Sequence, residues 1–169
     1  MPSSLAQKVA TLPEKPADRS PERVVTVLAI SPYDQDHAVL RNIFSHSNWC
    51  LRSARTWREA QTSLAANPAS VVLCEACLSD AEWQDVLAGI ESMPGRPLLV
   101  VTSSLADDRL WAEVLNLGGY DVLMKPFEQS EVVRVLSLAW LNWRDKRGVA
   151  GPKAPAAMSR PRLAAAAGA

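Results

Sequence analysis

Polar or charged residues stand at the ends of four short apolar runs in this sequence of 169 residues: Ser31, Glu75, Thr102 and Lys125. If these runs are parallel strands, their carboxyl ends meet at one edge of a sheet, where open parallel sheets normally bind ligands. A carboxylate, hydroxyl groups and an ammonium would then meet at that edge. Glu75 and Lys125 are predicted to pair there through a charge-assisted hydrogen bond.

Five apolar runs recur along the chain, at residues 24–30, 49–54, 70–76, 97–103 and 120–124. Most are β-branched or leucine-rich without polar alternation, which is typical of strands covered on both faces. The segments between them carry apolar residues at helical spacing. Because parallel neighbours need crossover connections, the pattern predicts an α/β fold, a doubly wound five-stranded parallel sheet with helices on both faces.

The predicted helices each have an apolar stripe that should face the sheet. In the first, third and fourth helices the stripes are Val39, Leu40, Ile43 and Phe44; Trp83, Val86, Leu87 and Ile90; and Leu110, Trp111, Val114, Leu115 and Leu117.

The last predicted helix has more apolar residues than one stripe needs. A core-facing stripe is drawn through Val132, Val133, Leu136, Ala139, Trp140 and Trp143. Three apolar residues lie outside this stripe: Val135, Leu138 and Leu141. An apolar surplus of this kind suggests a second buried contact, so these three residues form a candidate interface.

Composition changes near both ends of the chain. Residues 1–22 are rich in Pro, Ser, Lys and Glu, and residues 148–169 are rich in Ala and Pro. Neither segment has the apolar periodicity that offsets the entropy of ordering. We therefore expect a disordered arm over 1–22, one folded domain over 23–147 and a disordered tail over 148–169.

Charge and hydropathy exclude several classes of partner. Lys plus Arg equals Asp plus Glu at 18 each, so no strong overall field favours nucleic acid or an anionic membrane. No apolar stretch approaches the length that spans a bilayer, and three cysteines suit a reducing cytosol. We expect a cytoplasmic protein without nucleic-acid or membrane partners.

The spacing of the cysteines and histidines gives little support for a redox or zinc site. Cys74 and Cys77 form a Cys-x-x-Cys motif, but Cys74 falls within a predicted buried strand, which favours a structural role. A thiol redox sensor remains an alternative. Both histidines, His37 and His46, are predicted on the surface of the first helix. With Cys50 they lack the paired spacing of a zinc site, so no metal or cofactor is expected.

Residues 117–127, LGGYDVLMKPF, give the most specific resemblance to a known family. Together with Thr102 and the stretch VVLCEACLSDAEW, this segment resembles the receiver domain of bacterial response regulators, and the resemblance covers about residues 24–146. It implies a receiver fold with Glu75 at the phosphoacceptor position. Thr102, Lys125 and Pro126 match retained site residues of the family.

The acidic pair of the family is missing from this sequence. Receiver domains hold Mg²⁺ with two acidic residues after the first strand, and the equivalent positions here are Ser31 and Pro32. Asp34 and Asp36 lie nearby, at the start of the following helix, where acidic residues are favoured as caps or by the helix dipole. Capping is the favoured interpretation, and metal binding through Asp34 or Asp36 stays an alternative.

Two further positions differ from the family pattern. Glu75 is one methylene longer than the family's aspartate. Two interpretations stay open: a plain polar residue at the end of a strand, or a permanently charged site that reaches toward Lys125 and Thr102 and holds the domain in one state. Val122 stands where the family has its switch aromatic residue. Tyr120 is expected on the same face as Val122, where it would partly substitute.

The resemblance implies a stand-alone module of a two-component phosphorelay system. Without the acidic pair we expect a degenerate receiver, or pseudo-receiver, that is not phosphorylated, is not an enzyme and acts through protein contacts. Expected partners are a histidine kinase, an effector or a second copy of the chain, bound through the fourth helix, fifth strand and fifth helix. The alternative is a phospho-accepting regulator that uses non-standard acidic residues.

Overall fold

The computed structural model describes residues 25–148. The expected arm over 1–22 lies outside the described residues, as does the expected tail apart from Gly148. The strands are β1 Thr26–Ile30, β2 Cys50–Ala54, β3 Val71–Glu75, β4 Leu98–Ser103 and β5 Asp121–Met124. The helices are α1 Asp34–Phe44, α2 Trp57–Ala66, α3 Trp83–Glu91, α4 Asp108–Leu117 and α5 Gln129–Gly148.

The five strands form one parallel sheet in the order β2-β1-β3-β4-β5. The register pairs Glu75 of β3 with Thr102 of β4, and Ser103 of β4 with Met124 of β5. Strands and helices alternate along the whole described part of the chain. The predicted fold class, a doubly wound parallel sheet, is therefore confirmed.

Side chains of each strand alternate between two apolar layers, because successive residues point to opposite faces of a sheet. Val72 packs in the layer under α2, α3 and α4, whereas its neighbour Leu73 packs in the layer under α1 and α5. Both layers are continuous across the sheet, which explains why the strand sequences lack polar alternation. None of the helices within residues 25–148 is long and apolar enough to cross a membrane.

The phase of α5 differs from the predicted stripe. Val135 is buried in the core and Val133 is exposed, the reverse of the prediction. The buried set is Val132, Val135, Leu136 and Ala139, a regular i, i+3, i+4, i+7 stripe. Val135 is therefore removed from the candidate interface, while Leu138 and Leu141 remain exposed at 47% and 37%.

The stripe predicted for α4 is buried only in part. Val114 is buried, whereas Trp111, Leu115 and Leu117 are exposed. The helix flanks β5, an edge strand of only four residues, so little sheet surface is available to cover it. The apolar side of α4 thus contributes to the exposed surface.

Asp121 occupies the open edge of the sheet at β5. Its Oδ1 accepts a hydrogen bond from the Val122 backbone N–H at 2.9 Å and one from the Trp111 indole N–H at 3.1 Å. The carboxylate thereby satisfies a backbone donor on an edge strand and anchors α4 beside it.

Asp80, in the loop that follows β3, caps the start of α2. Its two carboxylate oxygens accept hydrogen bonds from the Trp57 and Arg58 backbone N–H groups at 2.9 and 3.0 Å. Those N–H groups would otherwise have no partner within the helix. Desolvation acts to raise the pKa of Asp80, but these backbone hydrogen bonds outweigh it and the pKa lies below its ordinary value.

We expect Asp80→Ala to lower the free energy of unfolding by about 1 kcal/mol, as loss of a helix cap does. Because the pKa of Asp80 is lower in the folded state, its contribution is present above the ordinary pKa of 3.8 and is lost as the pH falls through the folded-state pKa. Urea denaturation of both proteins at neutral pH and at decreasing acidic pH measures the difference.

Glu91→Gln is the matched control, because Glu91 is an exposed carboxylate at the end of α3. It should change the free energy of unfolding by less than about 0.5 kcal/mol. Equal stability of Asp80→Ala and the wild type at neutral pH would contradict the capping role.

Candidate functional site

The candidate site lies at the carboxyl edge of the sheet, where four segments bring polar side chains together. We call the set Ser31, Asp36, Glu75, Thr102 and Lys125 the Lys125 cluster. Its central residue follows β5, and the Lys125 backbone N–H donates to the Ser103 carbonyl at 3.0 Å. This bond extends the pairing of β4 and β5 by one residue and fixes the position of the Lys125 backbone at the edge of the sheet.

Glu75 forms the ion pair with Lys125 that the strand ends predict. Glu75 is the last residue of β3 and is buried, and its Oε2 also accepts a hydrogen bond from the Thr102 hydroxyl at 3.3 Å. The register of β3 and β4 places these two side chains side by side. Pro126 follows Lys125 through a cis peptide bond and is exposed.

Asp36 is the second carboxylate of the cluster. It lies in the first turn of α1, and its Oδ2 is 2.9 Å from the Lys125 Nζ and accepts a 2.6 Å hydrogen bond from the Ser31 hydroxyl. Both the Asp36 and the Lys125 side chains are only 12% exposed. Lys125 is therefore held between two carboxylates from different segments.

Asp34 and Asp36 both lie in the first turn of α1, where the helix dipole favours acidic residues as predicted, but neither caps the helix. The N-cap of α1 is Tyr33, which makes no side-chain cap hydrogen bond. Asp34 is 76% exposed and pairs with Arg55 on the surface. The spacing of the sequence could have predicted the position of Asp36. It precedes Leu40 and Ile43 by four and seven residues, so it lies on the inward face of α1.

Tyr33 covers the cluster from the solvent side. The Lys125 Nζ lies 4.8 Å from the centroid of the Tyr33 ring, within the range of a cation–π contact. The Tyr33 backbone N–H donates to the Ser31 hydroxyl at 3.2 Å, which ties the turn after β1 to the same network. The sequence pattern gave no indication of this contact.

Charges within the cluster hold Lys125 in its ammonium form. Burial acts to lower the pKa of Lys125, but the hydrogen bonds and charges of Glu75 and Asp36 outweigh burial and raise it above its ordinary value. A raised lysine pKa contributes stability that is fully present below the unfolded pKa and is lost as the pH rises through the folded pKa, above 10.5. Lys125 is therefore a cation across the neutral range.

The donor set does not fit the divalent cation that receiver domains hold. Ser31 commits its hydroxyl proton to Asp36, and Pro32 has no side-chain oxygen. Asp36 and Glu75 are the available carboxylates, and the Lys125 ammonium lies between them. Within residues 25–148 no group of three or more His, Cys, Asp or Glu side chains is placed to hold a metal ion.

Val122 and Tyr120 lie on different sides of the sheet, contrary to the prediction. Val122 is buried in the layer under α2, α3 and α4, whereas Tyr120 packs against the layer under α1 and α5. The strand begins at Asp121, so the alternation of side chains along a strand does not extend back to Tyr120. Tyr120 therefore does not share a face with Val122.

Cys74 and Cys77 have different surroundings despite their spacing. Cys74 is buried in β3, and burial, followed by the charges of Glu75 and Asp80, raises the pKa of its thiol well above the usual range. Cys77 is exposed in the following loop. A thiol with a raised pKa supplies little of the reactive thiolate, so this geometry does not favour a redox pair.

His37 is buried, so its predicted surface position is wrong. Its Nε2 lies 2.8 Å from the Ser31 carbonyl oxygen, and it shares the inward face of α1 with the core residues. His46 is exposed, after the end of α1 rather than within it.

Comparison with known proteins gives similarity of structure alone. No family model matches the sequence, and no curated protein matches it. The signal receiver domain of an HD domain-containing protein from Pseudomonas fluorescens Pf-5 matches with a TM-score of 0.68 at 23% identity, over 75% of this chain and 93% of that chain.

Two further receiver domains show the same similarity. That of a putative Luxo repressor protein from Vibrio parahaemolyticus matches with a TM-score of 0.70 at 16% identity, over 76% of this chain and 98% of that chain. The beryllofluoride-activated NtrC4 receiver domain dimer matches with a TM-score of 0.65 at 18% identity, over 71% of this chain and 99% of that chain. The chain therefore has the fold of response-regulator receiver domains.

We expect Asp36→Asn to lower the free energy of unfolding by about 1–3 kcal/mol, because it removes a carboxylate from a buried ammonium and from the Ser31 hydroxyl. Urea denaturation at neutral pH measures the effect.

Asp34→Asn is the matched control, since it makes the same chemical change two residues away on the exposed surface. It should cost less than about 0.5 kcal/mol, as is usual for a surface ion pair. Similar losses in the two variants would show that Asp36 has no special place in the cluster.

Proposed function

We propose that this chain is a receiver-like signalling module of the two-component type that is not phosphorylated and acts through protein–protein contacts. The observation that carries the proposal is the Lys125 ammonium, which is held between the carboxylates of Asp36 and Glu75. The positions that would supply the acidic pair are Ser31 and Pro32.

Phosphoryl transfer depends on in-line placement of the acceptor and on a cation that neutralises the charge developing on the phosphoryl group. At this site Glu75 Oε2 is engaged by Lys125 and Thr102, and Ser31 and Pro32 offer no carboxylate for a metal ion. An incoming phosphoryl group would meet a cluster that carries two carboxylates and one ammonium. This arrangement supports a site that does not accept phosphate.

The same contacts support a fixed signalling state. Glu75 places its carboxylate against Thr102 and Lys125, which are among the residues that match retained site residues of receiver domains. Val122, at the position of the switch aromatic residue, is buried in the core. We propose that the Glu75 carboxylate holds the site in one state. It takes the place of the charge that reversible phosphorylation would add and remove.

Incubation with Mg²⁺ and a small phosphodonor such as acetyl phosphate tests the proposal. We expect intact-mass analysis to show no phosphoryl adduct on the wild-type chain, because the acceptor position lacks both metal ligands and an in-line aspartate. A phosphorylatable receiver domain treated in parallel confirms that the donor is active.

A labile adduct on the wild type would contradict the proposal. If the adduct is then absent from both Glu75→Ala and Asp36→Asn, the chain is a phospho-accepting regulator with Asp36 as its non-standard acidic residue. Asp34→Asn serves as the control in that series, because Asp34 is exposed and pairs with Arg55.

The partner surface that we propose lies on α4, β5 and α5. Its exposed apolar side chains include Trp111 and Leu115 on α4, Met124 on β5, and Leu138 and Leu141 on α5. Scattered exposed apolar residues are normal, but a set shared by adjacent elements is typical of an interaction site. One structural neighbour is a receiver domain dimer, which supports a second copy as one candidate partner alongside a kinase or an effector.

We expect Leu138→Glu to convert a self-associating chain to a monomer, because it places a charge among the exposed apolar residues of α5. Size-exclusion chromatography with light scattering measures the molar mass. Leu105→Glu, which makes the same substitution in the exposed loop before α4, should leave the mass unchanged. A monomeric wild type would exclude the second copy and leave another protein as the partner.

A further inference from the structure

A groove of about 310 Å³ lies at the opposite end of the sheet from the Lys125 cluster. It opens between the end of α2 and the loop that joins α3 to β4, and its lining is apolar. The lining residues are Leu64, Ala65, Pro68, Ala69, Met93, Pro94 and Pro97. None of them is charged, so the groove fits aliphatic side chains.

The described part of the chain begins beside this groove. The Ser70 backbone N–H donates to the Thr26 carbonyl at 2.9 Å, and the Leu98 N–H donates to the Ser70 carbonyl at 3.0 Å. Ala69 and Pro97, which line the groove, directly precede Ser70 and Leu98. Since neighbouring strands are about 4.8 Å apart, Val25, the first described residue, lies within roughly 10 Å of the groove.

We propose that the groove is the docking site of the chain's own N-terminal segment, residues 1–24, through Leu5, Val9 and Leu12. These are the branched aliphatic residues among positions 1–22, and they fall within eight positions. Residues 13–24 span up to about 40 Å when extended, so the tether reaches the groove with length to spare.

The tether explains how a segment with so few apolar residues binds. Residues 1–22 cannot form a core of their own, but the groove presents an apolar surface that is already formed. A short covalent link gives an effective concentration on the order of millimolar, at which a weak apolar contact is well populated.

The C-terminal residues are a poorer occupant. The helix α5 also ends near the groove, because the Trp143 indole N–H donates to the Gly95 carbonyl at 2.8 Å. After Gly148, however, the large aliphatic residues are Val149, Met158 and Leu163, spread over fifteen positions with Lys153, Arg160 and Arg162 between them. The groove offers no carboxylate to pair with those three charges. Residues 5–12, in contrast, contain a single charged residue, Lys8.

Methyl NMR of the full chain tests the proposal, because its four methionines include one in the groove. With the Met, Leu and Val methyl groups labelled, we expect nuclear Overhauser contacts from the Met93 methyl to Leu5, Val9 or Leu12. The double variant Leu5→Asp/Leu12→Asp should shift the Met93 resonance and leave Met124, exposed on β5, in place.

Ser3→Asp/Thr11→Asp is the matched control, because it adds the same charge at polar positions of the segment and should leave Met93 unchanged. An unshifted Met93 in the Leu5→Asp/Leu12→Asp variant, without contacts to the segment, overturns the proposal. Contacts from Met93 to Leu163 or Met158 also overturn it and assign the groove to the C-terminal residues. Contacts seen only between differently labelled copies overturn it in favour of a second chain.

Discussion

A lysine ammonium that is removed from water needs opposite charge within reach, and this constraint organises the carboxyl edge of the sheet. Lys125 satisfies it with Glu75 and Asp36, which come from β3 and from α1. The carboxylates depend on the ammonium in turn, since each is buried. The turn after β1, the end of β3 and the end of β5 are consequently fixed by one another.

Much of the fold could be predicted from the sequence, because strands buried on both faces leave an unbroken apolar pattern. The pairing of Glu75 with Lys125 could also be predicted, since it follows from the parallel arrangement of the strand ends. The phase of α5 could not. Its apolar residues occupy most sides of the helix, so the sequence does not distinguish Val133 from Val135 as the core residue. Only the packing of α5 on the sheet buries Val135 and exposes Val133.

The part of the site that was missed lies on a helix rather than at a strand end. The sequence places Asp36 at the start of α1, where acidic residues are common because of the helix dipole. Its contact with Lys125 spans 89 positions of sequence and depends on how α1 packs on the sheet. The two positions after β1 that are acidic in receiver domains hold Ser31 and Pro32 here. In the folded structure, however, the Asp36 carboxylate from the first turn of α1 lies beside Lys125.

The carboxylate of Asp121 has a consequence for how other proteins can meet this molecule. Proteins often recruit a peptide by adding it as an extra strand to an open sheet edge, a mode that uses free backbone donors and acceptors. At β5 the Val122 N–H is already taken by Asp121, which also holds the Trp111 indole. An incoming strand would have to displace that side chain and loosen α4. The β5 edge therefore disfavours recognition through the backbone and leaves side-chain contacts on the neighbouring helices as the means of selecting a partner.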